Sequence, residues 1–400
     1  MKYKLLIYTF LVTMLVGCSK DGSDDNTSFT FQVEVQNVTD RAATVIWTRP
    51  EGSNITYQVY LNDELIESSY RQNTYTFTGL LSETSYSGKI TATNGSETTT
   101  VGFAFNTEDY VPNIYESGAY LNNQQAVNEF GSHHYNEIRY NLIITGPEIY
   151  DLTPLNDLKK VHGTIEIEHT IVQTFEGLDN LEFIGEDFDI HYNPNLVDLN
   201  SLQKLTHIGN DLIFYSNPIL ENVNGLSNVS LFTGAFQLEG SKIESLNILN
   251  DATQLKNIYI GLNPELRSIT GFQNVTKIDD FFEVHDNPSL NTLSGLSSIT
   301  EINGQGFFID LNTSLDSIEL INLTSLGDQV FIFENGAITN LDCFYNVIGT
   351  VRDIWISNQN MLGDFCGISN TVLSSSGTLT VEGNLYNPTL EDFQNGNCSL

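Results

Sequence analysis

The segment Asn193-Pro-Asn-Leu196-Val-Asp-Leu199 decides the fold, because closely similar segments recur along the chain. The clearest copies begin at Asn217, Asn263 and Asn287, and weaker ones begin at Asn312, Asn335 and Asn358. The first aliphatic residue after each turn anchors one copy; the anchors are Ile149, Ile171, Leu196, Leu220, Ile243, Leu266, Leu290, Leu315, Ile338 and Leu362. Neighbouring anchors lie 22 to 25 residues apart, and this steady period predicts a stack of similar units.

Each copy places a short alternating segment before its turn, as in Phe188-Asp-Ile190 and Phe282-Glu-Val284. Apolar residues at every second position predict a β-strand with one buried face. Stacked strands bring equivalent residues to about 4.8 Å from each other, so we expect the recurring asparagines to form a ladder that bonds to the turn backbone. This interpretation makes four asparagines structural: Asn193, Asn217, Asn263 and Asn287.

The repeat resembles a leucine-rich repeat but departs from it, because the next aliphatic residue lies three positions after the asparagine rather than two and no amphipathic helix follows. It is more similar to the receptor L domain, the right-handed solenoid of ligand-binding lobes in growth-factor receptor ectodomains. The resemblance covers roughly residues 118–385, and residues 121–131 look like the short helix that caps such solenoids. It implies that residues 108–400 form a capped, right-handed β-solenoid that binds a ligand.

Residues 29–107 contain short alternating segments separated by turn residues, which predict a small β-sandwich. The segment Val45-x-Trp47-x-x-Pro50 resembles the second strand of a fibronectin type III module, with its core tryptophan. The segment Leu81-x-x-x-x-Tyr86 resembles the tyrosine corner of the same family. The resemblance implies a mostly β chain in which this module serves as a spacer.

The first 18 residues contain Lys2 and Lys4, an apolar run from Leu5 to Val16, and then Gly17-Cys18. This order resembles a bacterial lipoprotein signal, which implies that residues 1–17 are a signal peptide and that the thiol of Cys18 carries lipid. The apolar run is too short for a transmembrane helix, which needs about 20 residues. We therefore expect the membrane to be contacted only through the lipid anchor.

Residues 18–28 are polar and acidic, as expected for a tether. Ser19 and the aspartates that follow resemble the export tag of Bacteroidetes-type surface lipoproteins, although Lys20 and Gly22 interrupt the match. The resemblance implies an outer-membrane protein that faces the cell exterior. A solvated linker on a protein that faces the periplasm is the alternative.

The 400-residue chain has a formal net charge of −34, which argues against a nucleic-acid partner. The seven histidines show no metal-binding spacing with each other or with cysteine. The sequence has neither a glycine-rich phosphate loop nor a Gly-x-Ser-x-Gly motif. We therefore expect no cofactor and no metal; the oligomeric state is left open.

Two columns of residues are expected to face outward from the stacked strands. The first column is Glu166, Asp189, Ile213, Gln237, Tyr259, Glu283, Phe308, Phe331, Trp355 and Thr380. The second column is Glu168, His191, Tyr215, Glu239, Gly261, His285, Asp310, Phe333, Ser357 and Glu382. Together they form the strand face, the surface on which we expect a ligand to bind.

Four aromatic residues of the strand face lie on adjacent strands, and we call them the aromatic patch: Phe308, Phe331, Phe333 and Trp355. Contiguous exposed aromatic side chains usually mark a binding site. Two alternatives remain open: another segment covers the patch, or the inward and outward assignment is displaced by one residue.

A second group, the acidic cluster, consists of Glu166, Glu168, Asp189 and His191. Two carboxylates one strand apart would suit a retaining glycosidase, in which they lie about 5 Å apart, or a calcium ion. The simpler interpretation is a solvated acidic surface on an acidic protein.

Three cysteines remain after Cys18. Aligning the repeats places Cys343 and Cys366 on neighbouring strands with an offset of one residue, so their Cα atoms are expected about 6 Å apart, within disulfide range. This geometry predicts a Cys343–Cys366 disulfide. Pairing of Cys366 with Cys398 is the alternative, because it would fasten the C-terminus.

These observations favour a lipid-anchored surface protein that binds a glycan or a protein and is not an enzyme. Two other functions remain open. One is a carbohydrate-active enzyme that uses the acidic cluster, and the other is a structural or adhesive envelope protein without a small ligand.

Overall fold

The computed structural model describes residues 29–230 and 232–400, and it is mostly β. The chain divides into two compact units, the first ending at Val111 and the second running from Pro112 to Leu400. Residues 108–111 thus belong to the first unit, although the sequence placed the boundary at residue 107. Within the first unit, the backbone N–H of Glu108 donates to the carbonyl oxygen of Thr39 at 3.0 Å.

The first unit is a β-sandwich of two antiparallel sheets, with strand orders β1-β2-β5 and β4-β3-β6-β7. Its strands are β1 Val33–Gln36, β2 Ala43–Trp47, β3 Thr56–Leu61, β4 Glu64–Tyr70, β5 Thr74–Phe77, β6 Ser85–Thr93 and β7 Thr98–Asn106. Trp47 is buried in the core between the sheets. The hydroxyl of Tyr86 accepts a hydrogen bond from the backbone N–H of Leu81 at 2.8 Å, as the predicted tyrosine corner requires.

The second unit consists of many short strands, most of them parallel to their neighbours. They are β8 Ile114–Tyr115, β9 Ala119–Leu121, β10 Glu137–Ile138, β11 Leu142–Thr145, β12 Lys160–Val161, β13 Ile165–Glu168, β14 Phe183–Ile184, β15 Phe188–His191, β16 His207–Ile208, β17 Leu212–Tyr215, β18 Ala235–Glu239, β19 Ser245–Leu246, β20 Gln254–Gly261, β21 Ser268–Ile269, β22 Lys277–His285, β23 Glu301–Ile302, β24 Gly306–Asp310, β25 Ser325–Leu326, β26 Gln329–Phe333, β27 Asp353–Ser357 and β28 Leu379–Glu382.

One long parallel sheet gives this unit its shape. Its strands follow the order β9, β11, β13, β15, β17, β18, β20, β22, β24, β26, β27, β28, so each repeat adds one strand beside the last. The five short strands β8, β10, β12, β14 and β16 form a separate parallel sheet. Buried aliphatic and aromatic side chains from successive repeats make one continuous core.

The predicted asparagine ladder is present inside this core. Asn287 shows its pattern: its Nδ2 donates to the carbonyl oxygens of Ile260 at 3.0 Å and His285 at 2.8 Å. Its Oδ1 accepts from the backbone N–H and the Nδ2 of Asn263 at 3.2 and 3.1 Å. Ser241 occupies the equivalent position in one repeat and bonds to Asn263 through its hydroxyl at 2.7 Å.

A residue with positive φ precedes each ladder position and turns the chain away from the strand. The φ angles lie between 49° and 70° at His169, Tyr192, Ser216, Gly240, Leu262, Asp286, Leu311, Glu334, Asn358 and Gly383. Eight of these ten are not glycine, although this conformation costs an L-residue roughly 1–2 kcal/mol. The turn is therefore imposed by the packing of the stack rather than by a local glycine signal.

Two details of the predicted repeat are wrong. Ile171 is 38% exposed, and its neighbour Val172 is buried in its place, because this turn is shorter than the Asn-Pro turns. Asn358 takes the positive-φ position, and the ladder continues through Gln359, whose Oε1 accepts from the backbone N–H of Asn335 at 3.1 Å. The glutamine side chain is longer than that of asparagine, and it still reaches the backbone N–H of Asn335 in the neighbouring repeat.

Helices occur near both ends of the second unit: α1 Gln124–Gly131, α2 Ser369–Ser374 and α3 Leu390–Gln394. The helix expected within residues 121–131 is α1, which begins after its N-cap Asn123. At the other end, Thr389 and Asp392 form a capping box that starts α3. Within residues 29–230 and 232–400, none of the helices combines the length and apolar character needed to cross a membrane.

Candidate functional site

The strand pairing agrees with the predicted register of the two columns, although Gly261 and Ser357 of the second column are buried. Along the first column, Glu166 pairs with Asp189 and, further on, Phe308 pairs with Phe331 and Phe331 with Trp355. Along the second, Asp310 pairs with Phe333. The residues between the two columns, such as Ile332 and Ile356, are fully buried. The register is therefore not displaced by one residue.

The aromatic patch is contiguous and reaches the surface. The ring centroids of Phe331 and Trp355 lie 5.9 Å apart, and those of Phe331 and Phe333 lie 6.2 Å apart. The indole of Trp355 is the most exposed member, at 46%. Its Nε1 donates to the hydroxyl of Ser357 at 2.7 Å, which fixes the ring orientation.

A shallow depression of about 120 Å³ lies beside these rings. Phe308, Phe331 and Trp355 line one side of it, and Asp353, Thr378 and Thr380 contribute polar groups. Small-molecule pockets usually enclose roughly 300–1,000 Å³, so this depression fits one side chain or one sugar ring rather than a whole ligand. A ligand would therefore lie across the face and insert a single group here.

The acidic cluster forms on the adjacent strands β13 and β15. Burial raises the pKa of Asp189 to about 7, and the neighbouring carboxylates of Asp187, Glu166 and Asp211 add to the effect. Burial also lowers the pKa of His191, against the opposite influence of Glu166 and Glu168. The Oδ1 of Asp189 and the Nε2 of His191 are buried and have no hydrogen-bond partner among the described residues.

The sequence analysis missed aromatic rings that surround this cluster. The rings of His169 and Tyr192 stack in parallel with centroids 4.9 Å apart, and Tyr215 meets Tyr192 edge-on at 5.2 Å. The imidazole Nε2 of His169 also lies 3.7 Å from the carboxylate of Glu168. His169 and Tyr192 occupy the positive-φ positions that precede the ladder residues. Aligning these positions of successive repeats, beside the two outward columns, would have revealed them.

A histidine–tyrosine pair lies in the middle of the strand face and was also missed. The Nε2 of His285 and the hydroxyl of Tyr259 are hydrogen-bonded at 2.8 Å. The imidazole reaches Tyr259 across Gly261, where a Cβ atom would collide with Nε2. Glycine at this position therefore makes room for the histidine ring.

The cysteine prediction is wrong: Cys366 pairs with Cys398, and Cys343 is a free thiol. The repeat alignment was sound, because Cys343 is the second residue of the 3-10 turn Asp342–Phe344 and Cys366 is the first residue of the turn Cys366–Ile368. Side chains at the second position point into the core, whereas those at the first position point outward. The estimate of Cα spacing ignored these directions, which a disulfide also has to satisfy.

The C-terminal segment meets Cys366 from outside the repeats. The backbone N–H of Phe365 donates to the carbonyl oxygen of Cys398 at 2.8 Å, and that of Leu400 donates to Gly363 at 3.1 Å. The Cα atoms of Cys366 and Cys398 lie 4.9 Å apart.

In the part of the chain that the structure describes, no group of three or more histidine, cysteine or acidic residues could hold a metal ion. Cys18, the signal peptide at residues 1–17 and the tether at 18–28 lie outside the described residues.

Comparison with protein families matches the fibronectin type III domain to residues 29–102. This match agrees with the observed sandwich and with the positions of Trp47 and Tyr86. The comparison with curated proteins found no match. The N-terminal sandwich is thus a fibronectin type III domain.

Proposed function

We propose that this protein is a lipid-anchored surface protein that binds a glycan or a protein through its strand face. The observation that carries the proposal is the aromatic patch: its rings are aligned on adjacent strands, Trp355 is exposed, and Phe308, Phe331 and Phe333 are half-buried. Exposed aromatic surface costs solubility unless a partner covers it. Fibronectin type III domains are commonly involved in binding and adhesion, which fits this role.

We further propose that the second unit is a right-handed solenoid similar to the receptor L domain. The long parallel sheet, the repeat length of 22 to 25 residues and the hydrogen-bonded ladder, in which Ser241 and Gln359 replace asparagine, support this architecture. In this proposal the fibronectin type III domain is a spacer, and the acylated Cys18 anchors the protein to the outer membrane, facing the exterior. A Cys18→Ser variant that stays in the membrane fraction after a salt wash would contradict the anchor.

The binding function is tested by replacing Trp355, whose side chain lies on the surface. We expect the wild-type chain to bind specific glycans on an array, or a protein partner, and Trp355→Ala to weaken that binding at least about tenfold. Tyr345→Ala is the matched control, because Tyr345 is an exposed aromatic residue outside both columns. A Trp355→Ala variant that loses thermal stability but binds normally would contradict the proposal, because the ring would then serve the fold.

An enzyme remains the second candidate because of one observation: the carboxyl of Asp189 has a pKa raised to about 7 and lies one strand from Glu166. This arrangement resembles the acid and nucleophile of a retaining glycosidase. Turnover of an oligosaccharide that is lost in both Asp189→Asn and Glu166→Gln would favour the enzyme. Binding without turnover favours the surface-binding function.

A further inference from the structure

The strand face is acidic throughout its length. The first column carries carboxylates at Glu166, Asp189 and Glu283, and the second column carries them at Glu168, Glu239, Asp310 and Glu382. Neither column contains a lysine or an arginine. A surface with this distribution attracts cations over its whole length.

The basic residues of the second unit lie elsewhere, and most of them have acidic partners there. The ion pairs are Arg139–Glu116 at 3.2 Å, Lys160–Glu137 at 3.8 Å, Lys242–Glu221 at 2.7 Å, Lys256–Asp211 at 3.6 Å, Lys277–Asp279 at 2.9 Å and Arg352–Asp353 at 2.8 Å. None of these lysine and arginine ion pairs among the described residues involves a carboxylate of the strand face. Seven of the 20 residues in the two columns are acidic, compared with 50 of the 400 residues of the chain, so the strand face is more acidic than the chain as a whole.

Two of these carboxylates border the aromatic patch. Glu283 pairs with Phe308 in the first column, and Asp310 pairs with Phe333 in the second. Both side chains are half-buried, and neither has an ion-pair partner within 4 Å among residues 29–230 and 232–400. Burying a carboxylate costs free energy that a bound cation would recover.

Aromatic rings beside carboxylates suit a guanidinium group. The guanidinium plane stacks on aromatic faces, and its N–H groups form paired hydrogen bonds with carboxylates. Phe308 and Phe333 are the rings next to these carboxylates, because Glu283 pairs with Phe308 and Asp310 pairs with Phe333. The depression of about 120 Å³ lies further along the aromatic patch, and neither carboxylate lines it. The face lies within a sheet whose backbone groups already pair with neighbouring strands, so a partner must be recognised through side chains.

We propose that the strand face binds an arginine-rich protein segment and seats one guanidinium between the aromatic patch and the carboxylates of Glu283 and Asp310. This inference rests on the proposed binding function and names the partner's chemistry. A neutral glycan could use the same rings and carboxylates, but it carries no charge, so the negative charge of the strand face would not attract it.

The probe is a short fluorescent peptide of alternating arginine and glycine, and its matched control replaces arginine with citrulline. Citrulline keeps the shape of the side chain but carries no charge. We expect the full chain to bind the arginine peptide at least about tenfold more tightly than the citrulline peptide, with an affinity that falls as salt rises.

Variants separate the site from general electrostatic attraction. Glu283→Gln/Asp310→Asn removes two charges beside the aromatic patch, and Asp251→Asn/Glu391→Gln removes two exposed charges outside both columns. We expect the first variant to lose about tenfold in affinity for the arginine peptide and the second to lose less than about twofold. Trp355→Ala should lose affinity even at high salt, because ring stacking is screened less than charge attraction.

Equal affinity for the two peptides would overturn the inference, and so would equal losses in the two double variants. If glycans then bind in a manner that depends on Trp355, the proposed binding function stands and only the arginine-rich partner is rejected. If neither peptides nor glycans bind to the face, both proposals fall.

Discussion

The asparagine ladder and the strand face are built by the same repeats, but they differ in whether their buried polar groups have hydrogen-bond partners. Inside, each ladder amide bonds to its neighbours in the stack, as Asn287 does with Asn263 and Asn312. Outside, Asp189 and His191 keep buried atoms without hydrogen-bond partners among the described residues. Buried polar groups normally find partners, so the contrast separates residues that hold the fold from residues available to a ligand.

The largest effect is expected inside the stack. Replacing Asn287 with Ala removes two hydrogen bonds to backbone carbonyls and leaves the backbone N–H of Asn263 without its acceptor. We expect the free energy of unfolding to fall by about 3–5 kcal/mol, measured by chemical denaturation. Asn291→Ala, an exposed position in the same repeat, is the control and should change it by less than about 0.5 kcal/mol. Equal effects would show that the ladder does not stabilise the fold.

A covalent link fastens the end of the stack, and its removal is expected to rank second. The Cys366–Cys398 disulfide spans a sequence separation of 32, so Cys366→Ser should lower the free energy of unfolding by about 3–4 kcal/mol. Peptide mapping of non-reduced protein should join Cys366 to Cys398 and find Cys343 as a free thiol. A peptide that joins Cys343 to Cys366 would contradict the structure.

An outward residue can also oppose folding, and Asp189 provides the test. Its pKa rises from an ordinary value of 3.8 to about 7, so the folded state holds this proton more tightly than the unfolded state. The wild type therefore loses stability as the pH rises from about 4 to 7. We expect Asp189→Asn to increase the free energy of unfolding by about 1–3 kcal/mol at pH 8 and to have little effect below pH 4.

The control for this measurement is Glu148→Gln, at an exposed position of the same unit, which should leave the pH dependence unchanged. Loss of stability in Asp189→Asn at pH 8 would mean that the charged carboxylate has a favourable partner, and the contrast between ladder and strand face would then weaken.

The smallest effect on stability is expected at Trp355, in contrast to its neighbour on the same strand. Trp355 is 46% exposed, whereas Ile356 is fully buried. We expect Trp355→Ala to change the free energy of unfolding by less than about 1 kcal/mol and Ile356→Ala to lower it by about 2–5 kcal/mol. A comparable loss in both variants would mean that the aromatic patch belongs to the core.

The sequence predicted the strand register correctly because side chains alternate strictly in a strand, so the buried aliphatic residues fix which residues face outward. It did not predict that His169 and Tyr192 join the acidic cluster, because their positive φ angles arise from stacking rather than from glycine. Strand β4 was missed for a related reason. Six of its seven residues are exposed, so it lacks the alternation that marks a strand.

Some parts of the candidate site were predicted from the sequence and others were not, because the repeat period fixes the strand position of a residue but not the direction of every side chain. Membership of a column follows from the period alone, which placed the aromatic patch on adjacent strands. Side-chain direction in the turns does not follow from the period, and the pairing of Cys366 depended on it. The hydrogen bond between His285 and Tyr259 likewise depends on space left by Gly261, which no spacing rule reveals.

The Cys366–Cys398 link also has a kinetic consequence. In a protein built from stacked repeats, each unit contacts mainly its neighbours, so melting begins at a free end and spreads inward. The disulfide closes the end next to Trp355 and Phe331, and among the described residues no disulfide fastens the opposite end at Ala119–Leu121. Amide hydrogen exchange should therefore be slowest near the aromatic rings, which would keep their binding surface assembled after the opposite end has opened.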